Sequence, residues 1–536
     1  MIPPLTRRIY DLTGDYRLRK LSADLSRHTA LRPGQPPVVF FNASTRLGNL
    51  SQNAAFSLLA SMAVQASGVP VVHFACTGGM TRCMLGTNPD DVHQPPPCSL
   101  CRRGTNRYLR NAPVVPFGEG ETSNLRAALA GLGLPELEAF TYPCKSLGAA
   151  VPLGALTLPG LRWALRRHHL RDDEATRFLW REYIVSAWAV ARAFSDFLRQ
   201  VEPQAAVLFN GIAFPEAAAR WVARQMGVRV ITHEVSYLPF TAFFVADAPA
   251  PTYPLGIPAD FALSPRQNAR LDAYLSQRFK GEFTMAGIRF WPEMQGLDEA
   301  FLRKAAKFRQ IVPVFTNVIY DTSQVFANTH FEHMFAWLDA LLPVMRSHPE
   351  TLFVIRAHPD EMRPATRKQA REHVRGWVER NGVAALPNVV FVGSREYLSS
   401  YDLIRRSKFV LVYNSSIGLE AVLLGAPVLA AAAARYTDYE VVHYPEGRDG
   451  YMRLLERFLS ADEVSLPEEH PRNARRFLYY QLFKASLPFG DFLEPGSIPG
   501  AVRLKAFPWR QLRPENHPTM RVLADGILRG KPFLLP

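Results

Sequence analysis

Two short segments of the chain carry residue types that can hold a phosphate group and donate to a departing oxygen. The first is Tyr413-Asn414-Ser415-Ser416-Ile417-Gly418-Leu419-Glu420. It follows an apolar run, so it reads as the end of a buried parallel strand with a helix opening at once. Backbone N–H groups at such a start lack an intrahelical acceptor and attract an anion, and the helix dipole adds to them. Ser415 and Ser416 supply two hydroxyl donors, Gly418 lets a phosphate come close, and Asn414 stands beside them at the strand end. Glu420 lies one helical turn beyond Ser416 on the same face, where a carboxylate can accept from ribose hydroxyls. The same residues also suit a plain helix start, with Ser415 as N-cap and Glu420 complementing the dipole. The second segment, Arg356-Ala357-His358-Pro359, follows another apolar run. There His358 can donate to a phosphate or leaving-group oxygen, Arg356 can neutralise charge, and Pro359 fixes the turn. A histidine satisfied within its own loop is the plainer reading.

Transfer of a group to a hydroxyl also requires a base for the hydroxyl proton. The candidate is Glu234 in Thr-His-Glu-Val-Ser, with His233 beside it as partner, and Asp321 is the fallback. Either acid also reads as an ordinary loop carboxylate. Asn210-Gly211 and the stretch 42–46 are strand-end loops that can line the acceptor side.

A different chemistry is written in Cys76, Cys83, Cys98 and Cys101, spaced C-x6-C-x14-C-x2-C. Cys98-Ser-Leu-Cys101 has the spacing of a metal knuckle, and the upstream pair can complete a thiolate site for structural zinc or an iron–sulfur cluster. Four thiolates leave no open position on a metal, so the expected role is structural. Unligated thiols are the alternative reading. Cys144 stands apart.

The elements that must position these residues alternate regularly. In the first half the pattern predicts strands over 37–41, 69–74, 205–209 and 228–232, with helices over 53–67, 172–201 and 215–226. In the second half it predicts strands over 311–315, 351–355, 389–392, 409–413 and 428–432, with helices over 331–347, 366–381, 399–407 and 417–424. Strand–helix–strand alternation implies parallel sheets, and open parallel sheets bind ligands beyond the carboxyl ends of their strands. The pattern weakens between 239 and 296, where the linker is expected. The organisation expected is an amino-terminal α/β domain over 1–295 with the cysteine insertion at 76–101, a nucleotide-binding α/β domain over 296–465, and a helical, then proline-rich tail over 466–536 that packs back on the first domain.

The 536 residues are 48% apolar and 21% charged, the profile of an ordered globular chain too long for a single core. The net charge of +14 suits anionic partners such as a nucleotide, an acidic polysaccharide or a membrane face. Its arginines lie in scattered pairs with no nucleic-acid motif, so nucleic acid is not an expected partner. The amino terminus lacks the apolar core of a signal peptide, and no run is long enough to span a bilayer. The expected location is cytoplasmic, peripheral on the inner membrane face, where disulfides are not expected.

Together, Arg356-Ala-His-Pro359, Leu398-Ser-Ser-Tyr-Asp-Leu-Ile404 and Tyr413-Asn-Ser-Ser-Ile-Gly-Leu-Glu-Ala421 resemble capsule polysaccharide biosynthesis proteins, GT-B-like transferases akin to bacterial Kdo transferases and sialyltransferases. Thr316-Asn-Val-Ile-Tyr-Asp321 and the cysteine cluster are also similar to that group. The resemblance is clear over 314–434 and weaker over 38–234. It implies two Rossmann-like domains whose parallel sheets face each other across a cleft. It implies His358 and Ser415/Ser416 as ligands of a nucleotide-sugar donor, an acid of the amino-terminal domain as base, and no catalytic metal. The acceptor it implies is an oligosaccharide or lipid-linked glycan. The acidic triplet of sialyltransferases is missing. Alternative readings are a CDP-glycerol or CDP-ribitol type polyol-phosphate transferase, a nucleotide-sugar epimerase, and a non-enzymatic scaffold of capsule assembly or export.

Overall fold

A computed structural model describes residues 4–43, 48–280, 295–362, 369–498 and 500–536. Two mainly parallel sheets organise them. The first is built from β1 (Val38–Asn42), β2 (Val71–Cys76), β3 (Val114–Phe117), β4 (Ala205–Phe209), β5 (Val230–Val235) and β6 (Thr241–Ala246). The second is built from β7 (Gln310–Phe315), β8 (Thr351–Arg356), β9 (Val389–Val392), β10 (Val410–Val412) and β11 (Val428–Ala430). The tail adds β12 (Leu487–Pro488) to the outer edge of the first sheet, antiparallel to β6.

The spatial order of the second sheet is β9-β8-β7-β10-β11, and every pair is parallel. Order reverses between β7 and β10, so a crevice opens beyond their carboxyl ends. The first sheet repeats the arrangement as β5-β4-β1-β2-β3, with its reversal between β1 and β4, and then departs from it by adding antiparallel β6 and β12 beyond β5. This is the two-fold α/β architecture that the alternation predicted.

Apolar runs make both strand faces buried, as a parallel sheet covered by helices requires. All six residues of β8 are buried. In β1, Phe41 packs with Phe74 and Phe194 on one side while its neighbour Phe40 packs with Phe56 and Phe244 on the other, which is the period-two alternation of a strand. The long helix Glu174–Val201 opens on Asp173, whose side chain accepts from the Thr176 amide. Gly227, with φ +69°, closes the helix Glu216–Gln225 in the left-handed conformation expected of a glycine past a helix end.

The structure differs from the sequence reading in several places. The helix expected over 366–381 forms only as Val374–Arg380, capped by His373; residues 363–368 lie outside the described residues. The helix expected over 331–347 starts at Met334, because His333 caps it by accepting the Ala336 amide. The amino-terminal helix Pro4–His28 and the antiparallel strand β6 were not anticipated.

The tail runs from the helix Glu469–Tyr479 beside the cleft to β12 at the sheet edge. It ends in the helix Pro518–Arg529, which packs on the helix Gln52–Ala66 of the first half. A second junction between the halves is polar. The His169 ring lies 2.5 Å from Glu372 through Nδ1 and 3.1 Å from His333 through Nε2.

Candidate active site

The two halves enclose a cleft of about 550 Å³. Its lining includes Glu234 from the end of β5, Asp321 from the loop after β7, and His358 after β8. Asn414, Ser415, Ser416 and Glu420 join them from the turn after β10 and the helix it opens. Four strand ends, widely separated in sequence, thus meet at one cavity. Arg356 and Gly418 do not line it, and the four cysteines lie elsewhere, around a separate small cavity.

Ser416 is exposed on the cleft wall, and Ser415 is buried with its carbonyl accepting the Tyr436 hydroxyl at 2.6 Å. The helix they open, Ile417–Leu423, is only seven residues long. Its length is close to the 417–424 expected, but neither serine supplies a side-chain cap, contrary to the plain helix-start reading of Ser415. Gly418 has a different reason from the one expected. A Cβ there would lie 2.3 Å from the Tyr436 hydroxyl, so the missing side chain makes room for the tyrosine rather than for a phosphate. Asn414 acts as a staple across the switch point: its Oδ1 accepts from Asn317 at 2.7 Å and Gln324 at 3.1 Å.

Glu420 faces the cleft but is held by its own partners. Arg278 donates to Oε1 at 2.6 Å and Tyr401 donates to Oε2 at 2.5 Å. Burial, and then the charge of Glu420, raise the Tyr401 phenol far above its ordinary range, so it remains a donor. The carboxylate that sequence offered to a ribose is thus a buried ion pair first.

The His358 ring is oriented by its own turn. Nδ1 accepts the Asp360 amide at 3.1 Å, which leaves the proton on Nε2. Arg356, expected beside it as a charge-neutralising ligand, is 2% exposed and donates to the Gly393 carbonyl at 2.7 Å. Burial lowers its pKa to about 10. It sits on the last position of β8, so its side chain turns into the packed layer between strand and helix.

Glu234 is clamped by donors on both oxygens. Asn53 and the Val235 amide donate to Oε1 at 2.8 Å each, and Asn210 donates to Oε2 at 2.9 Å. His233, expected as its partner, points to the opposite face of β5 and packs between Phe209 and Phe244, as adjacent strand residues must. Asp321 accepts the Ser323 amide at 2.9 Å and so caps its own turn. Of the loop 42–46, residues 44–46 lie outside the described residues. Asn42 binds His73 at 3.0 Å in the core, and Asn210 serves Glu234.

Sequence reasoning missed the arginines and aromatics of the cleft. Arg435 follows β11, is held by the Tyr237 hydroxyl and the Pro251 carbonyl, and lies 4.3 Å above the Tyr253 ring. Arg166 stacks 3.9 Å from the Trp163 ring and comes from the first half. Phe326, 60% exposed, presents an aromatic face at the rim. None of these stands in a motif, so their role is set only by where the chain folds. Among the described residues the lining has three arginines against five carboxylates. The cleft lining as a whole is therefore not positively charged.

Comparisons with known proteins fit this region. Residues 283–439 match the family model described as "Capsule polysaccharide biosynthesis protein". No curated protein matches the chain by sequence. Among solved structures, the chain is similar to Thermosulfurimonas dismutans KpsC, beta Kdo 2,4 transferase (11% identity, TM-score 0.31, covering 51% of this chain and 79% of that one). It is also similar to the beta Kdo 2,7 transferase of the same KpsC (15%, TM-score 0.30, 58% and 85%). A third similarity is to the UDP-GlcNAc 2-epimerase of Neisseria meningitidis bound to UDP-GlcNAc (12%, TM-score 0.23, 83% and 98%). These scores carry no detail of the site. The segment that matches the capsule polysaccharide biosynthesis protein model contains both the His358 turn and the Ser415-Ser416 turn.

Proposed function

We propose that the protein is a glycosyltransferase of the GT-B type that moves a sugar from a nucleotide-sugar donor to a hydroxyl of a growing surface polysaccharide. What supports this reading above all is one juxtaposition. Glu234, an oriented carboxylate of the first half, and the His358, Ser415 and Ser416 turns of the second half line the same cleft.

In this reading the nucleotide lies in the crevice between β7 and β10. The Ser415 and Ser416 hydroxyls and the Nε2–H of His358 donate to its phosphate oxygens. Arg435 supplies fixed positive charge at the same wall, and Phe326 offers a face to the base or sugar. Glu234 takes the proton of the acceptor hydroxyl as that oxygen bonds to the anomeric carbon. The bond from that carbon to the phosphate oxygen breaks, and the nucleotide leaves with the electron pair. Glu234, His358 and Arg435 are each oriented by a second partner, which is where such sites gain their rate. The chemistry as written needs no metal.

The acceptor we propose is an oligosaccharide or lipid-linked glycan at the inner membrane face. The net charge of +14 supports this, as do Leu12 and Tyr16, 61% and 67% exposed and one turn apart on the helix Pro4–His28. Among the described residues no helix is long and apolar enough to cross a membrane, so the association would be peripheral.

Incubating the protein with a panel of nucleotide sugars, with and without glycan acceptors, tests the reading. Transfer, or slow donor hydrolysis without acceptor, is expected. Interconversion of the sugar would point to an epimerase, transfer of polyol phosphate with release of CMP from a CDP-polyol added to the panel would point to the teichoic type of transfer, and binding of no nucleotide to a scaffold.

A further inference from the structure

Far from the cleft chemistry, β2 ends on Cys76, and the loop after it returns to the helix Cys98–Tyr108, whose first turn carries Cys98 and Cys101. Cys83 lies in the loop between. The four sulfur-bearing residues come from three separate places in the chain, yet all line one cavity of about 20 Å³, together with Ala43, Met80 and the Pro96-Pro97 pair. None of the five cysteines forms a disulfide.

The backbone around the cavity is shaped to the sulfurs. The N–H groups of Gly78, Gly79 and Met80 lie near the Cys76 sulfur, and the Gly86 amide donates to the Cys83 carbonyl at 3.1 Å. Amides directed at sulfur are the outer-shell donors that steady a metal-bound thiolate. The glycines are sterically required. Gly78 has φ +107°, and a Cβ on Gly79 would lie 2.5 Å from the Phe117 carbonyl. A Cβ on Gly86 would lie 2.6 Å from Pro96 and 3.0 Å from the Cys83 sulfur. The loop is therefore closed as tightly as the chain allows over a cavity walled by thiols.

We propose that Cys76, Cys83, Cys98 and Cys101 bind one zinc ion. Four sulfur donors around one small cavity suit tetrahedral zinc. Among the described residues no three His, Cys, Asp or Glu side chains stand in a metal-holding array, so the proposal requires the four sulfurs lining the cavity to close in around the ion. The site is structural, because four thiolates close the coordination shell. Its effect reaches the cleft. Asp90, in the same loop, pairs with Arg371 of the second half, and the Arg371 amide donates to the carbonyl of cleft-lining Arg166 at 2.9 Å. The ion thus pins a loop that ties the two halves together.

The test is metal analysis of the full chain purified under reducing conditions, with mercurial titration of its thiols. Expected is zinc equimolar with the chain, released as the four cluster thiols react. Cobalt exchanged into the site should give intense thiolate-to-metal absorption. The Cys98→Ser/Cys101→Ser double variant should lose zinc to background, whereas Cys144→Ser should keep it. If the double variant fails to fold, the wild-type metal content and cobalt spectrum still decide. Iron with acid-labile sulfide would overturn the proposal. So would a reduced chain, offered zinc, that takes up none and titrates five equally reactive thiols.

Discussion

The two crevices of this molecule share a strand order and differ in everything placed upon it. In the second half, the reversal between β7 and β10 carries small polar residues, Asn414, Ser415 and Ser416, with His358 alongside. In the first half, the polar residues that reach the equivalent region, Asn53 and Asn210, spend their amides on one carboxylate, Glu234. One wall offers donors to an anion, and the other holds a single acceptor in place. The difference teaches that topology locates a ligand crevice, while the polarity of the few residues at the strand ends decides which partner it faces.

The sharpest way to break this comparison is Glu234→Gln. Removing the proposed base should lower transfer about 10²- to 10⁴-fold while nucleotide binding, followed by calorimetry, stays unchanged. Loss of nucleotide affinity instead would mean that the first half is not the acceptor wall. On the opposite wall, Arg278→Ala leaves Glu420 charged and buried. It should cost about 3–5 kcal/mol in denaturant unfolding, because stranding one member of a buried pair exposes its desolvation penalty. Those two side chains are 12% and 6% exposed, so screening by solvent is slight.

Gly418→Ala drives a methyl into Tyr436 and should cost about 1–3 kcal/mol by the same measurement. A neutral result would mean that Tyr436 gives way and that the close approach does not require glycine. Phe326→Ala should raise the donor KM about five-fold, roughly 1 kcal/mol, with little change in kcat, if the ring only stacks.

The smallest effect concerns Glu361, in the turn after His358. Burial raises its pKa to about 8, with only the Val374 amide opposing. The folded state therefore holds this proton more tightly than the unfolded chain does, near an ordinary carboxylate value. Its contribution to stability is complete at acid pH and is lost as pH rises through about 8. Thermal unfolding at pH 5 and pH 9 should show Glu361→Gln less sensitive to alkali than the wild type.

Much of this was legible in the residues. Apolar runs of four to six residues between helical stretches marked the parallel strands, and the polar residues that end those runs marked the cleft. The errors have physical causes. Gly418 was read from the phosphate side, although its reason is a tyrosine arriving from residue 436. His233 was assigned to Glu234 by adjacency, which a strand forbids by sending neighbours to opposite faces. Arg356 was read as a ligand because it precedes His358, yet it points into the layer beneath the strand.

By itself the sequence determined the alternation of strands and helices, the two α/β halves, and the strand-end turns at His358 and Ser415-Ser416, because periodicity and turn chemistry are local properties. Only the tertiary structure decided that Asn53 and Asn210 hold Glu234, that Arg278 takes Glu420, that Arg435 and Arg166 reach the cleft, and that four cysteines wall one cavity. Those pairings join residues up to 181 positions apart. Local pattern has no reach over such a distance, and a side chain's partner is set by which strand ends the sheet order brings together.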